Sequence, residues 1–263
     1  MKIIKILLFA FLFSAINLSF GQNDNLYQKE IFIKNGDSLR YRIMYPEDFS
    51  KDKVYPMVLF LHGAGERGND NESQLIHGSE LFASLEARDS FPAIVIFPQC
   101  PNEGYWANVK VDRTTHPLTI EFPEDKPATK SMSLVMSLVK EYQKENYINS
   151  ERIYLGGLSM GGMGTFEILE RMPDTFASAF AICGGDNVDA ISAYSDKTPL
   201  WIFHGAKDDV VDPQLSVDIV GELLKLGANP NFNLYANDNH NSWDSAFAEP
   251  GLLKWLFSKS KSE

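Results

Sequence analysis

The sequence predicts an α/β fold, a mostly parallel central sheet with helices on both faces and an antiparallel hairpin at its start. Three observations carry this expectation. Short apolar runs of the kind buried strands use recur at 55–61, 91–97, 153–155, 176–182, 200–203 and 231–235. Between several of them lie stretches with helical spacing, and alternation of the two calls for a parallel sheet. Near the start, Asn35-Gly36, a strong tight-turn pair, separates two strand-like arms.

With 263 residues, 44% of them hydrophobic, the chain can build one α/β domain. The first residues are set apart from it. Lys2 and Lys5 lead a wholly apolar run, Ile6 to Phe13, and Ser19 and Gly21 supply small residues for a cleavage site. This is the pattern of a secretory leader over 1–21, cut near Gly21, with the domain at 22–263. The run is short for spanning a bilayer, so no stable membrane anchor is expected. Removing Lys2 and Lys5 takes the net charge from −11 to −13. Such an acidic balance argues against nucleic acid and anionic membranes as partners. Cys100 and Cys183 follow different predicted strands that are not neighbours. A bridge would exceed the usual Cα reach of about 7 Å, so two buried thiols are expected.

In chain order, Lys29 to Tyr45 reads as the hairpin, with Leu39, Tyr41, Ile43 and Tyr45 alternating with Arg40, Arg42 and Met44. Tyr55 to Leu61 is a strand entered through Pro56, and His62 to Gly68 a glycine-rich loop. Gln74 to Ala87 reads as a helix and Phe91 to Phe97 as a strand. Residues 99–127, rich in proline and without a clear period, form a long loop expected to cover the site in part. Met132, Val135, Met136, Val139 and Tyr142 share a helical face. Later come the strand 153–155, a helix from Thr165 to Arg171 and the strands 176–182 and 200–203. A helix opened by Asp212-Pro213 and closed by Gly227 follows, then the strand 231–235 and a last helix from Trp243 to Phe257.

Gly157-Leu158-Ser159-Met160-Gly161 fits G-x-S-x-G between a strand and a helix. A strand that turns sharply into a helix pushes the serine hydroxyl out of the sheet. A serine hydroxyl needs a base to take its proton. Partners on loops after later strands, in the order serine, acid, histidine, would be His240 and an acid from Asp208 or Asp209. Asp212 is better used as a helix cap. The oxyanion donors expected are the N–H groups of Met160 and of Ala64, with Gly65 behind it. His62 and His204, each before a glycine at a strand end, read as structural turn residues; His77 reads as a surface residue and His116 as part of the long loop.

Taken together, Leu61-His62-Gly63-Ala64-Gly65-Glu66-Arg67-Gly68, Pro98-Gln99-Cys100-Pro101, the G-x-S-x-G segment, His204-Gly205-x-x-Asp208 and His240-x-x-Trp243 resemble secreted bacterial esterases of the α/β-hydrolase superfamily. The set is similar to the phospholipase/carboxylesterase and dienelactone-hydrolase group, to feruloyl and acetylxylan esterases, and to chains labelled predicted peptidases of the prolyl-oligopeptidase type. The resemblance selects Asp208 as the acid. It implies a catalytic set of Ser159, Asp208 and His240, and substrate contacts at Glu66, Arg67, Gln99 and Trp106. A local Glu66–Arg67 ion pair and a core role for Trp106 are the structural alternatives. The expected activity is cleavage of carboxylic esters, small or linked to a polysaccharide, by a secreted or periplasmic protein. A peptidase, or a carbohydrate-binding protein without catalysis, is the alternative. No zinc-ligand spacing or dinucleotide fingerprint is present, so neither metal nor cofactor is expected.

Overall fold

The computed structural model describes residues 26–124 and 126–261, and the expected leader lies outside them. The hairpin forms β1 (Gln28–Lys34) and β2 (Asp37–Met44), turned at Asn35 and Gly36, whose φ angles of 53° and 85° suit a tight turn. There follow β3 (Tyr55–Leu61), α1 (Ser79–Ala83), α2 (Leu85–Ser90), β4 (Ile94–Pro98), β5 (Lys110–Asp112), β6 (Thr119–Glu121) and α3 (Lys130–Tyr142). The second half holds β7 (Ile148–Leu158), α4 (Met160–Arg171), β8 (Ser178–Ile182), β9 (Leu200–Gly205), α5 (Gln214–Lys225), β10 (Asn231–Tyr235), α6 (Trp243–Phe247) and α7 (Leu252–Phe257).

Eight strands form one sheet in the order β1-β2-β4-β3-β7-β8-β9-β10. The pairings of β2 with β1 and with β4 are antiparallel; from β4 to β10 the strands run parallel. Strand side chains divide between two cores by their period of two. Met57, Leu59 and Leu61 of β3 join Ile153 and Leu155 of β7 under α3, α4 and α5. Val58 and Phe60 join Tyr154, Phe97, Phe180 and Phe203 under α1, α6 and α7. Burial on both faces explains why β3 reads as an unbroken apolar run. Cys100 and Cys183 are free, buried thiols, and β4 and β8, the strands they follow, are separated by β3 and β7.

Several expectations change. Gln74 to Ala87 is not one helix: Gly78 takes a φ of 85°, and Ser84 leaves the helix to accept a hydrogen bond from the Ala87 N–H and start α2. The stretch from Trp243 to Phe257 breaks into α6 and α7 at Pro250-Gly251, since proline has no N–H and disfavours helix before it. Residues 99–127 carry the small β5–β6 ribbon. Arg42, which alternation places on a polar face, is buried instead. Its guanidinium donates to the carbonyl of Asn71 at 2.7 Å and to that of Tyr27. Arg42→Met should therefore strand buried carbonyls and lower the unfolding free energy by about 3 kcal/mol, read from the urea midpoint.

Candidate active site

β7 ends at Leu158, α4 begins at Met160, and Ser159 makes the whole turn with φ 52° and ψ −117°. A non-glycine residue in that region stores roughly 1–3 kcal/mol of strain. The turn is held by the Ser159 N–H, which donates to the Ile182 carbonyl at 2.8 Å. It also depends on a close approach of α4 to β3: a β-carbon on Gly161 would lie 1.9 Å from the Leu61 carbonyl oxygen. From Ile153 to Leu169, Ser159 alone is not buried.

Two loops from the neighbouring end of the sheet deliver its partners. The β9 loop and the β10 loop are zipped together, the Ala206 N–H donating to Tyr235 and the Lys207 N–H to Asp238, each at 2.9 Å. A side chain at Gly205 would strike the Asn239 carbonyl oxygen at 2.3 Å, so glycine allows this contact. The result is a continuous hydrogen-bonded run. Ser159 Oγ lies 3.0 Å from His240 Nε2, and His240 Nδ1 lies 2.8 Å from Asp208 Oδ2. An ionised carboxylate only accepts, so Nδ1 carries the proton and Nε2 is free to accept the serine hydroxyl. Asp208 Oδ1 receives the backbone N–H groups of Val210 and Val211, both at 2.9 Å. Burial pushes the Asp208 carboxyl up, but the hydrogen bonds from His204 and His240, the nearby His240 charge and the Val211 N–H outweigh it. They hold the group well below the usual carboxylate range. Asp209 is exposed. Asp212 accepts from the Gln214 N–H at 2.8 Å at the start of α5, as a cap does.

Met160 opens α4 and Ala64 opens a 3-10 turn, Ala64–Glu66. N–H groups at first positions have no acceptor within their own helix. The Ala64 loop borders the serine: a β-carbon on Gly63 would stand 3.7 Å from that of Ser159. His62 governs this loop in a way its reading as a turn residue does not capture. It is fully buried, and its Nε2 accepts the Cys100 N–H at 3.0 Å, so Nδ1 carries the proton and donates to the Gly63 carbonyl at 2.6 Å. That carbonyl and the Ala64 N–H belong to one planar peptide and point in opposite directions. Holding one aims the other.

Burial pushes the His62 imidazole down to about 4 from its ordinary 6.5. As pH falls across that window the unfolded chain gains a proton that the folded chain refuses. His62 therefore costs stability in acid, by up to about 3 kcal/mol. The Asp186 carboxyl, pushed up to about 7 by burial, works in the opposite sense. The expected result is thus a difference: between pH 7 and pH 5, urea unfolding of His62→Gln should gain stability relative to wild type.

The remaining expected contacts fall into the framework. Trp106 is fully buried, its indole N–H donating to the His62 carbonyl at 3.0 Å, so no ring face is open for stacking. Gln99 is buried too; it accepts the Asn71 N–H at 2.8 Å and donates to Asp70 Oδ1 at 2.6 Å. Glu66 and Arg67 do not pair with each other. Glu66 Oε1 lies 3.8 Å from His77 Nε2, and Arg67 donates to the carbonyls of Ala64, at 2.9 Å, and Gly104, at 3.2 Å. His77 packs at a tilt against Trp243, which in turn packs edge-on against His240. His116 is exposed beside the β5–β6 turn. Among the described residues, one group has metal-type donors close together: Cys183, Asp208 and His240, within 4.8 Å of one another. Burial keeps the Cys183 thiol protonated, and hydrogen-bond donors already occupy both Asp208 oxygens, so the group suits proton transfer better than an ion.

A serine on a strand–turn–helix elbow, in a sheet of this order, defines an α/β-hydrolase fold. Residues 48–249 match the phospholipase/carboxylesterase family, and the chain belongs to it. Over 160 residues it is 37% identical to the bifunctional acetylxylan esterase/xylanase XynS20E of Neocallimastix patriciarum, covering 60% of this chain and 20% of that protein. Lysophospholipase-like protein 1 of Mus musculus is 26% identical over 214 residues, 78% of this chain and 87% of that one. A solved thermostable esterase superposes with a TM-score of 0.79 at 32% identity, over 90% of this chain and 64% of its own. A ferulic acid esterase shares the fold at 15% identity, with a TM-score of 0.67 over 88% of this chain and 97% of its own. The chain thus corresponds to only part of the xylanase-linked protein and of the thermostable esterase.

Proposed function

We propose that the chain hydrolyses carboxylic esters through an acyl-enzyme on Ser159. The observation that carries this reading is the unbroken hydrogen-bonded run from the Ser159 hydroxyl through His240 to Asp208, beside the helix-end N–H groups of Met160 and Ala64. Ser159 Oγ attacks the acyl carbon while His240 Nε2 takes its proton. The Met160 and Ala64 N–H groups receive the charge that develops on the carbonyl oxygen. That charge exists only in the transition state and the intermediate, so donors fixed in advance act on the barrier and not on ground-state binding. The intermediate collapses, His240 returns the proton to the departing alkoxide, and the alcohol leaves. Water, deprotonated by His240, then attacks the acyl-serine, and the acid is released with Ser159 restored. Asp208 keeps Nδ1 protonated and stabilises the imidazolium without itself taking the proton.

Two sugar-linked ester classes fit best, acetyl and hydroxycinnamoyl groups on plant-type polysaccharides. The likeness to the acetylxylan esterase supports this. Export after cleavage near Gly21 belongs to the same reading. It agrees with the leader-like sequence, and among the described residues no helix is long and apolar enough to cross a membrane. The test is chemical. The chain from Gln22 onward should hydrolyse a short aryl ester, and a fluorophosphonate probe should modify Ser159. A panel of acetylated and feruloylated oligosaccharides beside peptide substrates then ranks the classes by kcat/KM. A serine that resists the probe, or a preference for peptides, would end the ester reading.

A further inference from the structure

We infer that His204, a residue remote from substrate, is a positioning residue for the Ser159–His240–Asp208 run, sharing the Asp208 oxygen that His240 uses. The inference rests on the ester-hydrolase reading for its catalytic consequence, but not for its geometry.

His204 closes β9 and is completely buried. Its Nε2 stands 3.2 Å from Asp208 Oδ2 and 3.1 Å from the Val211 carbonyl oxygen. The carbonyl only accepts, so Nε2 carries the proton and divides it between two oxygens. Its Nδ1 lies 2.7 Å from the hydroxyl of Ser216, a fully buried residue on α5. In the neutral ring, Nδ1 then accepts the Ser216 proton, a bond that agrees with the tautomer donating to Asp208. Asp208 therefore receives four N–H groups: Val210 and Val211 on Oδ1, His204 and His240 on Oδ2. Each oxygen thus accepts two donors, and the carboxylate cannot rotate without breaking bonds on both.

The His204 bond has an electrostatic effect as well. A donor on Oδ2 withdraws negative charge from the oxygen facing His240, so Asp208 stabilises the His240 cation less than a singly bonded carboxylate would. Removing that donor should leave His240 holding its proton to higher pH. The other titratable groups on the surrounding elements do not mimic this. The Cys183 thiol after β8 is kept protonated by burial. Lys207 and Asp209 are exposed and Asp238 is half-buried on the loop across from them, and none of the three is changed by the substitution.

The experiment compares wild type, His204→Phe, which has no donor, and His204→Gln, which keeps an N–H near the Nε2 position. The His240 titration is followed by NMR, and kcat and KM on an aryl ester are measured across pH. In His204→Phe the midpoint should rise by roughly one pH unit, tenfold in the protonation equilibrium. The acidic limb of kcat/KM should move with it, kcat falling more than KM changes, and His204→Gln should restore most of both. Should His204→Phe fail to fold, His204→Leu, smaller and equally without a donor, takes its place and should move the midpoint in the same direction. An unchanged midpoint in the folded donor-free variant overturns the inference, as does equal damage from the donor-free variant and Gln. The NMR midpoint needs no turnover. If wild type cleaves no ester, the functional reading fails while the titration still decides the role of His204.

Discussion

Ser159→Ala is expected to lower kcat/KM on a short aryl ester by at least about a thousandfold while leaving the fold intact. In the proposed mechanism the hydroxyl is the group that forms the acyl bond, and its loss leaves only the proposed oxyanion donors and substrate binding to act. Those supply a residual rate over water but no covalent path. The stability change should be small, because the side chain's one polar partner is the partly exposed His240. The turn backbone is held by main-chain bonds that alanine keeps. Circular dichroism and urea unfolding would establish the intact fold, and steady-state kinetics with active-site titration the loss. Wild-type turnover by the alanine variant would remove Ser159 from the mechanism.

Gly161→Ala is expected to be the most damaging single methyl in the domain. The added carbon would sit 1.9 Å from the Leu61 carbonyl oxygen, 2.4 Å from the Leu61 carbonyl carbon and 2.7 Å from the His62 carbonyl oxygen. All three are backbone atoms, so no side-chain rotation relieves the overlap. Either the first turn of α4 leaves β3, or β3 moves and takes the His62–Ala64 loop with it. The expected loss exceeds the ~1–3 kcal/mol usual for an inserted methyl, a large share of the roughly 5–15 kcal/mol that holds a domain folded. Any folded fraction should also turn over slowly, since Met160 and Ala64 stand on opposite sides of the displaced contact. A urea midpoint equal to wild type would mean that α4 approaches β3 less closely than described.

The meeting of Ser159, Asp208 and His240 was legible because each lies in a short polar segment just after an apolar strand, and the parallel topology gathers such ends at one rim. What the sequence hid was set by contacts between distant segments. α4 starts at Met160 rather than Thr165 because packing against Leu61 requires glycine at 161, although local propensity counts Gly161, Gly162 and Gly164 against a helix. Arg42 follows the alternation of a solvent-facing position, and only the carbonyls of Tyr27 and Asn71, brought over it by folding, reveal that it is buried. Trp106, in a stretch without period, gave no sign that its indole would bond to the carbonyl of His62. The two histidines before glycine, His62 and His204, carried a signal in their position, but their partners, Cys100 and Ser216, come from other elements.

The segment at 99–127 is fastened at both ends and least tied in the middle. Its first part is pinned to His62 by Cys100 and Trp106, and the Thr129 hydroxyl donates to the carbonyls of Tyr105 and Trp106. Between these moorings the β5–β6 ribbon meets the acid-bearing loop through one main-chain bond, Leu118 N–H to the Val210 carbonyl, and through Ile120 in the small apolar cluster around Val211 and Met163. Change therefore has unequal consequences along it. In the proposed reaction, a graft exchanging the ribbon but keeping Leu118 and Ile120 should alter which esters are admitted while leaving the Asp208 loop as it is. A graft that took the residues before it would unseat the His62–Ala64 loop, the proposed oxyanion donor, and should forfeit turnover on every substrate alike.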